Sequence, residues 1–576
     1  MPTLEWIGKD KVINHHQEVP FRVLECRYSY DERGQWNDDN GSGNMIIHGD
    51  NLEALKSLLP RYEGRVKCIY IDPPYNTGKQ KWVYNDNVND PKIRKWLGEV
   101  VGNEGEDLTR HDKWLCMMYP RLKLLQRLLS DDGAIFISIS DVELYHLKLC
   151  CDEIFGSNNF VEEFIWYIDG HTDKQEKITH VHEYIVCYAK KKAMLAFNSV
   201  VAPHVESTSK ILNDFAENSI TKNGSKNPPS IIELPVGFPC EIESLYKEKH
   251  PTVGQCMDEV QQTGYISREM TRKYSLSYPA RIDNMIVENF RLFQPCRVYS
   301  GWMNNGKLKK FIANRCKPID DDGTTLQFYL SKNGVVYYRR EGRQNHYVQS
   351  VLEKMGTTET NKYMLESMGI QFEYPKPVFL IEFLLSLFST EDSVILDSFA
   401  GSGTTAHAVL NMNKADGGSR KFILVEMEDY ADSITAERIK RVIKGYGKGK
   451  NAVVGTGGGF SFYEVGPMLL TPDGNLNEDV DSQKIREYVY YTETKEPIPA
   501  RTNPDEPYFL GLCRDAAYYF YYERESVTTL DYDFLSAIRT PAASYVIYAD
   551  LCAIPPDTLK AYHITFKKIP RDIARL

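Results

Sequence analysis

The sequence predicts an α/β protein built on a doubly wound, largely parallel sheet, and three observations carry that expectation. Two continuous apolar runs of strand length, Val66–Ile71 (VKCIYI) and residues 133–139 (GAIFISI), fit strands buried on both faces. Segments with helical spacing alternate with them, above all 114–129, where Leu115, Met118, Leu122, Leu125 and Leu129 share a face. The alternation resumes after residue 378, where 393–397 (SVILD) runs into a glycine-rich turn and a helix.

Taken in order, residues 1–44 read as a polar arm with one apolar patch at 19–24. Met45–His48 is a short strand, and 51–59 a helix with Leu52, Leu55 and Leu59 on one face. Val66–Ile71 stops at Asp72-Pro73-Pro74-Tyr75, where two prolines forbid continuation of strand or helix. A polar loop covers roughly 76–111. Residues 142–155 form a helix closed by Gly156, and Phe160–Tyr167 and 184–188 are further strands. Through 193–360 the alternation is lost, and glycines, prolines and short β-like runs dominate. It returns with a helix at 378–388, the strand at 393–397 and a helix opened by Gly401–Gly403. A strand at 422–425 ending in Glu426 and a helix at 430–443 follow. From 451 onward the pattern suggests a separate unit, with an acidic entry at 471–510 (nine Asp/Glu against four Lys/Arg).

Composition narrows the function classes. The 576 residues carry a net charge of −10, so any nucleic-acid surface has to be local. The best candidate is 261–350, with fifteen Lys/Arg against seven Asp/Glu. There Lys307, Lys309, Lys310, Arg339, Arg340 and Arg343 are interleaved with Trp302, Tyr337 and Tyr338. The twelve cysteines form no C-x-x-C pair, which points to reduced thiols, no structural zinc and the cytoplasm. The polar start is no signal peptide, and no apolar run reaches the ~18 residues of a membrane span.

Two motifs carry chemistry. Asp72-Pro73-Pro74-Tyr75 ends a buried strand, where open α/β sheets place ligands. The exocyclic amine of adenine is a poor nucleophile, because its lone pair is delocalised into the ring. A carboxylate (Asp72) and a backbone carbonyl (Pro73) accepting its two N–H groups would turn that lone pair outward. Pro74 would help fix the carbonyl, and Tyr75 would stack on a base lifted from the duplex. A plain turn after a strand is the simpler explanation of an Asp-Pro pair. The second motif is Asp397-Ser398-Phe399-Ala400-Gly401-Ser402-Gly403-Thr404-Thr405, between a strand and a helix. Its glycines allow close backbone approach, and the helix start favours an anion. Glu426, twenty-one residues past Thr405, is placed to accept ribose hydroxyls. Asp50, at a third strand–helix corner, is either a helix cap or also a contact to a cofactor's adenine.

With these residues together, the chain resembles the adenine-specific DNA methyltransferases of the permuted, beta-type order. Its DPPYNTG (Asp72 to Gly78) looks like that of the modification subunits of type III restriction–modification systems. So do the stretches at 45–59, 114–129, 182–190 and 372–384. The resemblance covers the two catalytic halves and is weak through 193–360. It implies a Rossmann-like methyltransferase sheet in circularly permuted order, with an inserted target-recognition region and a C-terminal α+β domain. The implied boundaries are an arm at 1–44, a catalytic half at 45–192, target recognition at 193–360, a cofactor half at 361–450 and an accessory or dimerisation domain at 451–576. The reaction it implies is methyl transfer from S-adenosyl-L-methionine to the N6 amine of a flipped adenine in double-stranded DNA. Asp72, Pro73, Pro74 and Tyr75 would hold the amine. Asp397, Phe399, Gly401 and Gly403 would line the methionine end of the cofactor, with Thr404 and Thr405 at the helix start and Glu426 on the ribose. Lys376-Pro377 would lie near the methionine carboxylate. A homodimer and a separate restriction/helicase subunit are the partners implied.

Rival readings stay open on the residues alone. Methylation of the cytosine N4 amine uses the same architecture, although the family often has Ser where Asp72 stands. Gly401-x-Gly403-x-x-Ala406 also fits the fingerprint of a nicotinamide-dependent oxidoreductase. Pro472-Asp473 with Glu493-Thr494-Lys495 matches a loose PD-ExK nuclease pattern, and a DNA-binding subunit without catalysis is a further class. His15-His16 and His180-x-His182 lack the companions of a metal site.

Overall fold

The computed structural model describes residues 4–77, 91–100, 109–168, 180–203, 213, 215–342, 348–499 and 505–571. It divides into two compact units: Met1–Asn198 together with Gln349–Leu576, and Ser199–Val348.

An eleven-stranded sheet organises the first unit. In chain order its strands are β1 (Arg22–Asp31), β2 (Gly34–Trp36), β3 (Met45–His48), β4 (Val66–Ile71), β5 (Leu129–Ile139), β6 (Phe160–Tyr167) and β7 (His182–Ala189). The chain then adds β8 (Val351–Leu352), β9 (Val394–Asp397), β10 (Lys421–Glu426) and β11 (Gly459–Met468). Across the sheet the order is β8-β6-β7-β5-β4-β9-β10-β3-β11-β1-β2. From β5 through β4, β9, β10 and β3 to β11 all neighbours are parallel. Strand β7 runs against β5 and β6, and β1 against β11. The central strands bury both faces, as continuous apolar runs require: β10 is buried from Phe422 to Glu426. The permuted order is explicit in the register, with Ile395 of β9 opposite Cys68 of β4 and Leu396 opposite Ile69.

The helices cover the sheet for legible reasons. Asp50 caps Asn51–Tyr62, its Oδ1 accepting from the N–H groups of Leu52 (2.8 Å) and Glu53 (3.2 Å), and Leu52, Leu55, Leu58 and Leu59 are buried. Thr109 and Asp112 form a capping box at the start of Arg110–Leu128, whose buried stripe includes Leu115, Met118, Leu122 and Leu125.

Several expectations are corrected. The presumed arm at 1–44 is built into the sheet through β1, which buries Val23, Tyr28 and Tyr30 against β11. The sequence after 451 likewise begins inside this sheet, because β11 pairs with β3 and β1. Beyond it lie the helix Ser482–Thr494 and a mixed four-stranded sheet of Phe509–Cys513, Ala516–Phe520, Ser544–Ala549 and Ile564–Lys568. The helix expected at 142–155 is shorter, Leu144–Cys151, and continues as a wider π turn, Asp152–Gly156, where Gly156 takes a positive φ of 89°. Within the expected loop at 76–111, Pro91–Val100 is helical. Residues 78–90 and 101–108, including Gly78, lie outside the described residues.

The second unit, Ser199–Val348, holds three small antiparallel sheets and the helices Val253–Thr263, Arg268–Lys273 and Asn305–Ala313. Its core is built around Phe238, Phe311 and Phe328. No helix among the described residues is long and apolar enough to cross a membrane, and all twelve cysteines are free.

Buried Asn44 stitches the permuted sheet. Its Nδ2 donates to the Gly459 carbonyl (2.8 Å) and its Oδ1 accepts from the Phe422 N–H (2.9 Å), joining β10 and β11 at the foot of β3. Replacing Asn44 with Ala strands two buried backbone groups. The expected loss is roughly 2–4 kcal/mol, at about 1–3 kcal/mol for each unpaired group. Urea unfolding of the two proteins measures it, and a loss below about 0.5 kcal/mol would mean the stitch is dispensable.

Candidate active site

The parallel register brings the motifs together. Strands β4, β9 and β10 all end at the same edge of the sheet, so Asp72, Asp397 and Glu426 share one crevice. Strand β7 is antiparallel and starts at that edge, which delivers Glu183, its second residue, to the same place.

Asp72, Tyr75, Glu183 and Lys376 form one cluster. The Lys376 ammonium lies 3.2 Å from Asp72 Oδ1, donates to Tyr75 Oη at 2.7 Å and to Glu183 Oε2 at 3.1 Å, and sits 4.7 Å above the Tyr75 ring. Tyr75 Oη in turn donates to Glu183 Oε2 at 2.9 Å. Burial pushes the Asp72 carboxyl up against the pull of Lys376. Burial alone would lower Lys376, but the carboxylates of Asp72 and Glu183 outweigh it and hold the ammonium charged. Burial, with Asp72 and Glu183 alongside, drives the Tyr75 phenol far up, so it stays neutral. Lys376 was expected at the methionine carboxylate. Its ammonium instead points at Asp72, drawn by two acids, while its backbone carbonyl accepts from Thr404 Oγ1 (3.3 Å). Pro377 caps the helix Val378–Ser386.

The two prolines have distinct jobs. The Pro74 carbonyl is engaged by the indole Nε1 of fully buried Trp114 at 2.7 Å, which locks the turn. The Pro73 carbonyl is the one left to the chemistry proposed below. Asn76, at φ 59°, carries the chain out of the motif. Trp114 and Glu183 were missed by the sequence reading. Their only local signal was apolar or alternating patterning, and their partners are distant in sequence.

The glycine turn is pre-formed. Asp397 closes it internally, Oδ1 accepting from the Phe399 N–H (3.0 Å) and Oδ2 from Thr405 Oγ1 (2.6 Å). Glu426 Oε2 accepts from the Gly401 N–H at 2.7 Å, and Thr435 Oγ1 donates to the Gly401 carbonyl at 2.6 Å. Gly401 and Gly403 hold positive φ of 53° and 82°, and a Cβ on Gly403 would meet Thr435 Cγ2 at 3.2 Å. Beneath the turn, fully buried Arg438 donates to Ser402 Oγ (2.7 Å) and Thr404 Oγ1 (2.9 Å), an anchor the motif did not announce. Burial raises Asp397 to about 7 and Glu426 to about 8. Phe399 packs into the core below.

These residues fit a cofactor with hydroxyls, an amine and a carboxylate. Ser398 Oγ is buried in the turn without a hydrogen-bond partner, and Glu426 offers a carboxylate beside glycines at a helix start. Asp50 is the helix cap described above, with Oδ2 3.8 Å from Arg121. The basic residues belong to the second unit. Three of them are already paired: Lys307 (2.7 Å) and Arg340 with Asp321, and Arg339 with Glu217 (2.9 Å). Lys309 and Lys310 are exposed, and Arg343 lies outside the described residues. In the loose nuclease pattern, Glu493 is bound to Lys567 at 2.7 Å and to Tyr548 Oη at 2.6 Å.

Fold and crevice together define an α/β protein of the methyltransferase class, with a DPPY strand end set beside a glycine turn. The chain belongs to the DNA methylase family, whose family model matches residues 66–437. It is 28% identical over 460 residues to the type III restriction-modification enzyme EcoP15I Mod subunit of Escherichia coli, covering 74% of this chain and 64% of that protein. It is 30% identical over 474 residues to the EcoPI Mod subunit of Escherichia phage P1, covering 77% and 68%. The chain thus spans about two-thirds of the length of these relatives. Among solved structures, TTHA0409, a DNA modification methylase by its title, from Thermus thermophilus, aligns with a TM-score of 0.30 and 16% identity, over 74% of this chain and 100% of that one.

The raised Glu426 pKa gives a signed expectation. Its folded carboxyl binds a proton more tightly than the unfolded one, so its contribution is complete below the ordinary value of 4.5 and lost as pH rises through about 8. Glu426→Gln cannot ionise. Its melting temperature, measured without cofactor, should fall less between pH ~5 and ~8 than that of the parent. Parallel pH profiles would show that burial of Glu426 does not set this slope.

Proposed function

We propose that this protein transfers a methyl group to the exocyclic N6 amine of an adenine flipped out of duplex DNA. One observation carries the reading: the Asp72 carboxyl and the glycine turn occupy the ends of adjacent parallel strands, paired through Leu396 and Ile69. The cofactor this reading requires, S-adenosyl-L-methionine, supplies an electrophilic methyl on a sulfonium centre. Glu426 and the turn at Phe399–Gly403 would hold it, with Thr404 and Thr405 at the helix start.

The chain's own residues do the rest. Asp72 accepts one N–H of the amine and the Pro73 carbonyl accepts the other, which turns the nitrogen lone pair away from the ring. Because Trp114 occupies the Pro74 carbonyl, the turn is fixed before substrate arrives. Tyr75 offers its ring to the base. Lys376 now covers that ring and must shift as the base enters, keeping Glu183 as its partner. Lys376 also favours ionised Asp72, the form that accepts a hydrogen bond. The same acceptors would serve a cytosine N4 amine, and Asp at position 72 rather than Ser favours adenine. The type III relatives support a role in restriction–modification, in the cytoplasm. A restriction subunit and a second copy of this chain would be its partners.

Asp72→Ala should lower methyl transfer by roughly 10²–10³-fold or more while leaving cofactor affinity within a few-fold. Radiolabel transfer and calorimetry measure the two. Near-parental turnover would remove Asp72 from the mechanism, and mass analysis of the product nucleosides separates N6-methyladenine from N4-methylcytosine. For DNA contact, we propose Lys309 and Lys310, the unpaired members of the basic set. Neutralising both should reduce the slope of log affinity against log salt by about 1–2 units, at ~0.9 per phosphate contact. Neutralising Arg339 and Arg340, held by Glu217 and Asp321, should change it less. An unaltered slope in the Lys309/Lys310 variant moves the interface elsewhere.

A further inference from the structure

Outside the catalytic crevice, one group of three metal-ligating side chains comes together among the described residues: His111, Glu143 and His146. Their ligand atoms all lie within 4.8 Å of one another. The set is invisible as a motif because it is split. His111 lies in the first turn of Arg110–Leu128, Glu143 precedes the helix Leu144–Cys151, and His146 follows one turn later.

The geometry is that of a donor set around a buried anion. Glu143 is fully buried, while the two imidazoles are about one-third exposed. His111 Nδ1 lies 2.7 Å from Glu143 Oε1, His146 Nδ1 lies 2.9 Å from Oε2, and the ring centroids are 4.8 Å apart. The second contact is not a hydrogen bond. Glu143 Oε2 and His146 Nδ1 are both buried without a hydrogen-bond partner, close in distance but misaligned. Among the described residues no Lys or Arg lies within ion-pair distance of Glu143. Its only such neighbours are these two histidines. A buried carboxyl without a permanent cation is costly, and an ion would satisfy charge and orphaned atoms at once. Two imidazoles and one carboxylate, with an open side towards solvent, are the ligands that zinc-class ions take.

We propose that His111, Glu143 and His146 bind one divalent transition-metal ion of the zinc class, water completing its coordination. The consequence reaches the catalytic segment. Asn76, which directly follows Tyr75, donates its Nδ2 to Glu143 Oε1 and to the Arg110 carbonyl (3.1 Å). The ion would therefore tie the exit of the DPPY turn to two helix starts. This inference does not depend on which base is methylated, or on methyl transfer at all.

The test uses the full chain, stripped with a chelator and titrated with Co²⁺ and then Zn²⁺. Expected are one Co²⁺ per chain with visible ligand-field bands, displacement by Zn²⁺, and a Zn²⁺-dependent rise in melting temperature. His111→Ala and His146→Ala, at partly exposed positions, should fold as judged by circular dichroism. Each should weaken Co²⁺ binding by ~10-fold or more. His146→Gln serves as a second variant should the alanine form misfold. Absence of Co²⁺ bands and of any Zn²⁺ shift in the parent chain would overturn the proposal. So would variants that bind as the parent does, or binding lost only when His180 and His182 are replaced.

Discussion

The pairing of β4 with β9 is the constraint from which the rest follows. Adjacent strands lie about 4.8 Å apart, so parallel pairing through Ile69 and Leu396 places the chain segments leaving them within reach of one ligand. Both strands are buried on both faces, and a slip of one residue would turn every side chain to the opposite face. Asp72 and Asp397 are thus positioned by apolar residues that never touch a substrate. Strand β10 then brings Glu426 alongside, and β3 places Asp50 at the next corner. The order of the two halves along the chain does not enter this geometry, because the sheet needs adjacency and direction alone. That is why a permuted sequence builds the same crevice.

Lys376 couples the two halves. Its carbonyl is held by Thr404 at the start of the helix that follows the glycine turn, and its ammonium bridges Asp72 and Glu183. A change in how the turn is occupied therefore reaches the catalytic carboxyl through one side chain. The crevice gathers four acidic groups, Asp72, Glu183, Asp397 and Glu426, and burial raises three of them. A single ammonium shared between two acids leaves the site with an appetite for positive charge, which suits a cationic methyl donor.

What was legible in the sequence was local. Prolines stopping a strand, glycines opening a helix and unbroken apolar runs each act within a few residues, and they marked Asp72–Tyr75, the turn at 397–405 and Glu426. The missing parts are those whose partners come from elsewhere. Glu183 reaches the crevice only because β7 runs backwards, and Trp114 reaches Pro74 across the fold. The basic stretch shows the same limit in reverse. Counting charges gave six candidates, but Arg339 stands directly opposite Glu217 on the neighbouring strand, and Lys307 and Arg340 share Asp321. The arm at 1–44 looked polar because β1 lies near the sheet's edge, where only some of its residues bury.

The glycine turn shows how binding is prepared before any ligand arrives. Glu426 holds its amide, Thr435 its carbonyl, and Arg438 its serine and threonine hydroxyls, so little conformational freedom is left to lose. Arg438 is the least expected of these supports. It is fully buried, and no carboxylate lies within ion-pair distance of it among the described residues. Burial lowers it to about 9, which still leaves it charged at neutral pH. Its guanidinium is tolerable because hydroxyls and a carbonyl solvate it, and its field adds to the positive end of the helix above. An anionic group settling at that helix start would relieve both. The same arrangement explains why the turn needs an arginine there: a lysine has one point of charge and could not span Ser402, Thr404 and His407 together.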